Sequence, residues 1–259
     1  MTSNGQLSMT HIHYTEVQPD KLLAEYVHSF WQSKNDTEEA FSLTTLPDGC
    51  MELVIRFQRK QFYNLELANI SKDPINFTMP AHQTKMGIRL KPLAKEYLLA
   101  QNKFGRYEGA NSFILGNVSL SQLLTLDLHA FRNAMSDVFI SMLSRNTPDV
   151  RKVRLFHLLH ETQGDIKVGE LAQSVAWTER QINRYFNKQF GMSLKSYCVL
   201  LKCYASYPHI HSGNFFPEQH FYDQPHFIRE IKKHTGTTPE RLWKNQNDRF
   251  IQFQKKHPS

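Results

Sequence analysis

The stretch TERQINRYFNKQFGMS, residues 178–193, returns in outline 45 residues later as DQPHFIREIKKHTGTT, residues 223–238. Thr178 becomes Asp223, Ile182 becomes Phe227, Arg184 recurs as Arg229, and Phe186 becomes Ile231. Lys188 recurs as Lys233, Gly191 as Gly236, and Ser193 becomes Thr238. A helix cap, two apolar residues four apart, an arginine between them and a terminating glycine therefore all return in register. A chain with this repeat builds one kind of helix twice.

Around the first copy, Val168, Leu171, Ala172 and Val175 fall on one face of a short helix. Thr178 offers its hydroxyl as an N-cap, with Gln181 three residues on in the capping-box position. In the next helix Ile182, Tyr185, Phe186 and Phe190 make an apolar stripe. At about 100° per residue Arg180 and Arg184 lie almost opposite it, flanked by Asn183, Asn187 and Lys188. Two helices joined by about three residues, the second carrying arginines outward, are what a helix-turn-helix needs to enter a major groove. Arginine can bond guanine O6 and N7 with both arms, and Asn or Gln can do the same to adenine, so Arg180, Arg184 and Asn183 are able to read bases. Lys188 and Lys195 suit phosphates. An ordinary helical hairpin with a charged outer face has the same pattern, and the duplication favours the helix-turn-helix. Between the copies SLKSYCVLLKCYASYP reads as a connecting helix, with Tyr197, Leu200, Leu201 and Tyr204 at helical spacing.

Charge points to the same half. Residues 1–150 carry 14 Lys+Arg against 15 Asp+Glu, whereas residues 151–259 carry 17 against 9, so the net charge of +7 lies entirely in the second part. A basic unit beside a neutral one indicates a polyanionic partner, most commonly nucleic acid. Three scattered cysteines, Cys50, Cys198 and Cys203, lack zinc spacing and fit a reducing interior better than a disulfide framework. No apolar run reaches the roughly 18 residues of a membrane span, and the polar start MTSNGQLSMTHIHYTE lacks a signal-peptide core. The expectation is a soluble cytoplasmic protein with no membrane contact.

The first half reads as mixed strand and helix. LTTLPDGCMELVIRF, residues 43–57, places a Pro-Asp-Gly turn before an alternating strand. INFTMP and KMGIRLKP, residues 75–80 and 85–92, are further strands closed by proline. From about 120 the period becomes helical, with Leu123, Leu124, Leu128, Phe131, Met135, Val138, Phe139 and Met142 in one stripe. TPD at 147–149 starts a new helix, and the domain boundary falls between about 145 and 162. No strand is expected after 150. The fold class is α+β: residues 1–150 form a sheet-containing domain ending in helices, and residues 151–259 an all-α domain with two helix-turn-helix units at about 166–191 and 214–237.

The segment from about 165 to 243, above all YDQPHFIREIKKHTGTTPERLW, resembles the DNA-binding domain of the AraC/XylS family of bacterial transcription regulators. The resemblance implies base-reading positions at Arg180, Asn183 and Arg184 in the first unit and at Gln224, Pro225, Ile228 and Arg229 in the second. Thr178, Gln181, Lys188, His226, Lys232 and Lys233 complete the expected DNA-contacting set. LPDGCMELVIRF and KMGIRLKPLAKEYLL look like the cupin-like sensor domain that precedes this DNA-binding domain in part of the family. That implies a small-molecule effector or dimerisation role, with double-stranded DNA, RNA polymerase and a second copy of the chain as partners.

The chain departs from the family pattern in the second unit. Between residues 213 and 222 it has only NFFPEQHF, about five residues too few for the usual supporting helix. Pro217 stands at the place of Ala172, and His220 at that of Val175. Pro208 is expected to interrupt the connecting helix near its end, Pro225 replaces a polar reader, and Ala176 sits where the family turn prefers glycine. The first unit is therefore expected to carry base recognition, and the second to clamp phosphate through Arg229, Lys232 and Lys233 or to be degenerate. The second alternative leaves a ligand-sensing or protein-interaction module. Thirteen histidines, including His11, His13, His157, His160, His209 and His211, show no recognised metal spacing. The chain has no GxSxG, P-loop or GxGxxG, so the expectation is a non-enzymatic protein with neither metal nor cofactor.

Overall fold

A computed structural model describes residues 12–99, 123, 126–145, 147–216 and 221–244, with the backbone of 107–108, 114–115 and 118–119. The first half is built on strands β1 (Ile12–Val17), β2 (Val27–Asn35), β3 (Phe41–Thr45), β4 (Met51–Gln58), β5 (Gln61–Ala68), β6 (Ile75–Met79) and β7 (Gln83–Leu90). Two-residue strands follow: β8 (Tyr107–Glu108), β9 (Ile114–Leu115) and β10 (Val118–Ser119). An antiparallel six-stranded sheet has the order β1-β2-β7-β4-β5-β8, while β3 pairs with β6 and β9 with β10. The strands expected in ELVIRF, INFTMP and KMGIRLKP are β4, β6 and β7. The Pro47-Asp48-Gly49 turn feeds β4 as expected.

Alternation gives the large sheet two unlike faces. Leu53, Ile55 and Phe57 of β4, with Met86, Ile88 and Leu90 of β7, enter one apolar core with Phe30. Helix α1 (Leu128–Leu143) covers this face, with Phe131 edge-on to Phe30 at 6.1 Å. Asp127 caps that helix by accepting from the Ala130 N–H at 2.8 Å; before the cap, Leu126 and the buried Leu123 belong to the described set, and Leu123 is itself helical. The neighbouring positions Trp31, Ser33, Glu52, Val54, Lys85 and Arg89 line a cleft that the β3–β6 pair helps to enclose. Arg89, only 2% exposed, lies 3.4 Å from both Asp48 and Glu52 and 3.8 Å from Glu16. Surrounding one buried guanidinium with carboxylates is what makes its burial tolerable.

Helices α2 (Val150–Glu161), α3 (Val168–Ser174), α4 (Glu179–Phe190), α5 (Leu194–His211), α6 (Gln224–Thr235) and α7 (Pro239–Lys244) make up the second half. No strand occurs among the described residues after 150. The apolar core of the sheet continues without a break through Phe156, Leu171, Ile182 and Phe186 to Tyr197 and Leu201 on α5. A smaller core joins Cys203, Tyr207 and Ile210 of α5 to Phe227, Ile231 and Leu242, and to Leu46 of the first half. Pro208 does not interrupt α5 as expected: the helix runs through it to His211. Proline removes one backbone N–H, but buried Tyr207 and Ile210 on either side hold the last turn in place. Among the described residues, no helix is long and apolar enough to cross a membrane.

Burial, with Arg56 nearby, lowers the Lys85 ammonium from 10.5 to about 7. Below pH 7 both folded and unfolded chains hold this proton, and the fold bears the full cost of burying the charge. Between about 7 and 10.5 the folded chain sheds it first, so stability gains as pH rises. Lys85→Met should therefore be more stable than wild type by roughly 1–3 kcal/mol at pH 6, with the advantage shrinking toward pH 10. Urea unfolding of both proteins across that range checks the sign.

Candidate nucleic-acid interface

Helices α3 and α4 form the first of the repeated units. Leu171, Ala172 and Val175 pack on Ile182 and Phe186 within the main core. The Thr178 hydroxyl accepts from the Gln181 N–H at 3.2 Å, and the Gln181 side chain accepts in return from the Thr178 N–H at 2.8 Å, completing the capping box. At the other end Gly191 is left-handed, with φ 65°, and its N–H donates to Asn187 at 3.1 Å. Phe156 of α2 anchors the inner face, with ring centroids 5.6 Å from Phe186 and 5.9 Å from Phe190.

The outer face of α4 is open. Arg180, Gln181, Arg184 and Lys188 are exposed, and Asn183 is half-buried with its amide donating to Glu179 O at 3.1 Å. Among the described residues Arg180, Arg184 and Lys188 have no hydrogen-bond or ion-pair partner. The first half of the chain touches α4 along a different line. There the Tyr185 hydroxyl donates to Glu96, and the Lys95 ammonium donates to the Gln189 carbonyl. Lys95 and Glu96 belong to a π-helical turn, Lys95–Leu99, that follows β7. An open groove beside α4 is lined by Arg151, Lys152, Trp177, Arg184 and Lys188. Arg151 lies over the Trp177 ring at 5.5 Å while chelating Asp149, and Lys152 pairs with Glu96. Sequence reasoning overlooked these two cations; the basic run VRKVR after a capping aspartate was the available signal.

The second unit has the same termini and a different support. Asp223 caps α6 by accepting from the His226 N–H at 2.7 Å, and Gly236 is left-handed at φ 75°. Between α5 and α6 no described residue is helical: residues 212–216 and 221–223 are turn, bend and coil. Pro217 and His220 lie outside the described residues. Among the described residues of this stretch two aromatic rings pack on α6, with Phe221 5.1 Å and Phe216 6.1 Å from Phe227. Gln224, Pro225, Arg229, Lys232 and Lys233 are exposed, Ile228 is half-buried, and the His226 ring turns toward Phe221 at 5.7 Å. Lys233 is 3.5 Å from Glu230. The far end of α6 rests on the first half, where the His234 Nδ1–H donates to the Lys72 carbonyl at 2.7 Å.

The turn between α3 and α4 shows the consequence of a missing glycine. Ala176 has φ 51°, the left-handed region that L-residues enter at a cost. Of the histidines, His13 lies on β1, His157 faces Glu25 at 3.2 Å, and His160 is held inside; His11 lies outside the described residues. Among the described residues no cluster of three or more His, Cys, Asp or Glu could hold a metal ion. The cleft of the sheet domain has a volume of about 180 Å³. Two donors in it lack acceptors: Trp31 Nε1 is buried with no partner, and Lys85 Nζ sits 3.7 Å above the Phe77 ring with no carboxylate bonded to it.

Residues 15–103 match a family described as a domain of unknown function (DUF6597). No curated protein sequence matches the chain. Solved structures similar to it include ToxT from Vibrio cholerae. An apo lysine-to-alanine variant shares 11% identity over 83% of this chain and 96% of its own, with a TM-score of 0.43. A ToxT structure at 1.65 Å resolution shares 11% identity over 90% and 98%, with a TM-score of 0.41. A ToxT complex with (E)-4-(8-methylnaphthalen-1-yl)but-3-enoic acid has the same identity and coverage and a TM-score of 0.41.

Replacing Ala176 by glycine relieves the backbone strain and should stabilise the chain by about 1 kcal/mol or somewhat less, because glycine is also freer when unfolded. Thr178→Ala should cost about 1 kcal/mol through loss of the cap. Denaturant midpoints of the two variants against wild type provide the measurement.

Proposed function

We propose that the chain is a sequence-specific, DNA-binding transcription regulator in which the first helix-turn-helix dominates base recognition. The observation that carries this reading is the outer face of α4: Arg180, Arg184 and Lys188 are exposed and unpaired on a helix whose opposite side is locked into the core. Guanidinium groups left without internal partners on a rigid helix are available to base edges, and a helix of this width fits the major groove. Asn183 joins them by exchanging its internal amide bond for an adenine edge. Arg151 and Lys152, beside the same groove, extend the positive surface toward the phosphates. Thr178 and Gln181, both engaged in the cap, contribute by presenting the end of the helix.

Helix α6 supplies the weaker contact. Gln224, Arg229, Lys232 and Lys233 face outward, whereas His226 is turned to Phe221 and Pro225 offers no side-chain donor. A unit supported by aromatic rings and tied to Lys72 suits phosphate clamping better than base reading. Residues 1–150 serve as the sensor or dimerisation domain and residues 151–259 as the DNA-binding domain. The sheet cleft is the place for an effector bearing an acceptor group, which Trp31 Nε1 and Lys85 would both bond. A second copy of the chain and RNA polymerase are the remaining partners of this reading.

Selection of bound fragments from random duplex by the purified full chain should yield a defined motif. On it Arg184→Ala should cost about 1–3 kcal/mol and relax the specificity at one position, whereas Arg229→Ala should weaken all sequences alike. Affinity should fall with salt at a log-log slope near −0.9 per phosphate neutralised. Equal losses of specificity in the two variants would contradict the asymmetry. A flat salt response would instead favour an interaction module with a degenerate DNA-binding domain, the reading that the shortened stretch before the second unit otherwise suggests.

A further inference from the structure

Among the described ionisable residues that line the sheet cleft, Lys85 alone has neither an ion pair nor a hydrogen bond. It stands on β7 directly opposite Arg56 of β4 and Ser33 of β2. The carboxylates near it are engaged elsewhere: Glu66 lies 2.9 Å from Arg56, and Glu52 lies 3.4 Å from Arg89. The amine rests instead on the Phe77 ring, 3.7 Å from its centre. Lys85 is 6% exposed, yet its Nζ is not sealed in. Among the described residues, the unpartnered side-chain nitrogens that are fully buried are those of Trp31, His160, His226 and His234. Lys85 and Phe77 both line the cleft, so the amine is presented there. Burial first, and then Arg56, lower it to about 7, so near neutrality about half of it carries a free lone pair. An exposed lysine has less than about one part in a thousand in that form at pH 7.

An uncharged amine at the wall of an apolar cleft is a nucleophile, and its partner is an electrophilic carbon. The neighbouring charges narrow the class. Glu52 and Glu66 line the same space and oppose a ligand carboxylate, whereas neither opposes a neutral carbonyl. Leu43, Val54, Ile75 and Phe77 offer apolar wall to the rest of the molecule. At about 180 Å³ the space is smaller than a drug-sized pocket, so the molecule it takes is small. We propose that Lys85 binds a small apolar aldehyde covalently, as an imine. The Nζ lone pair forms the C–N bond to the carbonyl carbon while the carbonyl π pair moves to oxygen. Both N–H protons then pass to that oxygen, which leaves as water as the C=N bond forms. No oxidant or reductant is consumed, and water reverses the step. The inference rests on the reading of the sheet cleft as the effector site and goes beyond it by making the bond to Lys85 covalent. It depends on neither helix-turn-helix unit.

Benzaldehyde with sodium cyanoborohydride converts such an imine into a stable benzyl amine. With the full chain at pH 7, peptide mass spectrometry should find Lys85 benzylated at least about tenfold faster than any exposed lysine, at a rate that saturates with benzaldehyde. Exposed lysines become neutral only toward pH 10, so this preference should shrink as pH rises from 7 to 10. Glyceraldehyde, which is polar, should show at least about tenfold less preference for Lys85, measured against exposed lysines of the same sample. Lys85→Met should keep only the slow labelling of exposed lysines. Labelling of Lys85 no faster than theirs, a rate linear in benzaldehyde, or an equal preference with glyceraldehyde would each overturn the proposal. If Lys85 is not labelled but benzaldehyde still moves the indole resonance of Trp31, the imine is refuted and the cleft stands as a non-covalent site. Neither labelling nor a shifted resonance would count against both.

Discussion

Helix α5 packed against the turn at Leu46–Gly49 is the contact on which the rest of the molecule depends. Its first half presents Tyr197 and Leu201 to the main core, and its second half presents Cys203, Tyr207 and Ile210 to the smaller one. Gly49 permits the approach: it is left-handed at φ 79°, and a side chain there would sit 3.2 Å from Leu201. Each large apolar side chain buried at such a seam contributes on the order of 1.5–3 kcal/mol. The helix joining the two repeated units is therefore also the one that fastens them to the sheet.

From this arrangement the inequality of the two units follows. The first has a true supporting helix, an aromatic anchor in Phe156 and a capped outer helix with free arginines. The second inherits the cap and the glycine brake but leans on Phe216 and Phe221 and on the Lys72 carbonyl. Helix termini depend on a few local residues, so they survive changes in the surroundings. A supporting helix depends on length, and too few residues separate His211 from Gln224 for the usual one.

The sheet domain reaches the outer helices by short physical routes. Strand β7 carries Lys85 and Arg89 on its cleft face, then continues through Lys91 into the turn whose Lys95 and Glu96 hold α4. A change at the cleft has only a few residues to cross before it meets the helix that we assign to base reading. The buried Arg89 cluster stiffens this route, because moving any one carboxylate away removes part of what offsets the guanidinium's burial.

Local chemistry was legible in the residues themselves. The capping box at Thr178, the caps at Asp149 and Asp223, the brakes at Gly191 and Gly236, and the alternation of β4 and β7 are set by neighbours within a few positions. So is the outward face of Arg180 and Arg184, since helical geometry fixes which residues oppose a buried stripe. Tertiary structure decided the rest. That α5 runs through Pro208, that Trp31 and Lys85 line one cleft, and that Leu46 joins the core of the second unit all depend on contacts between residues tens to more than a hundred positions apart. A period in the sequence tells which side of an element is buried; only the assembled chain determines what lies against it.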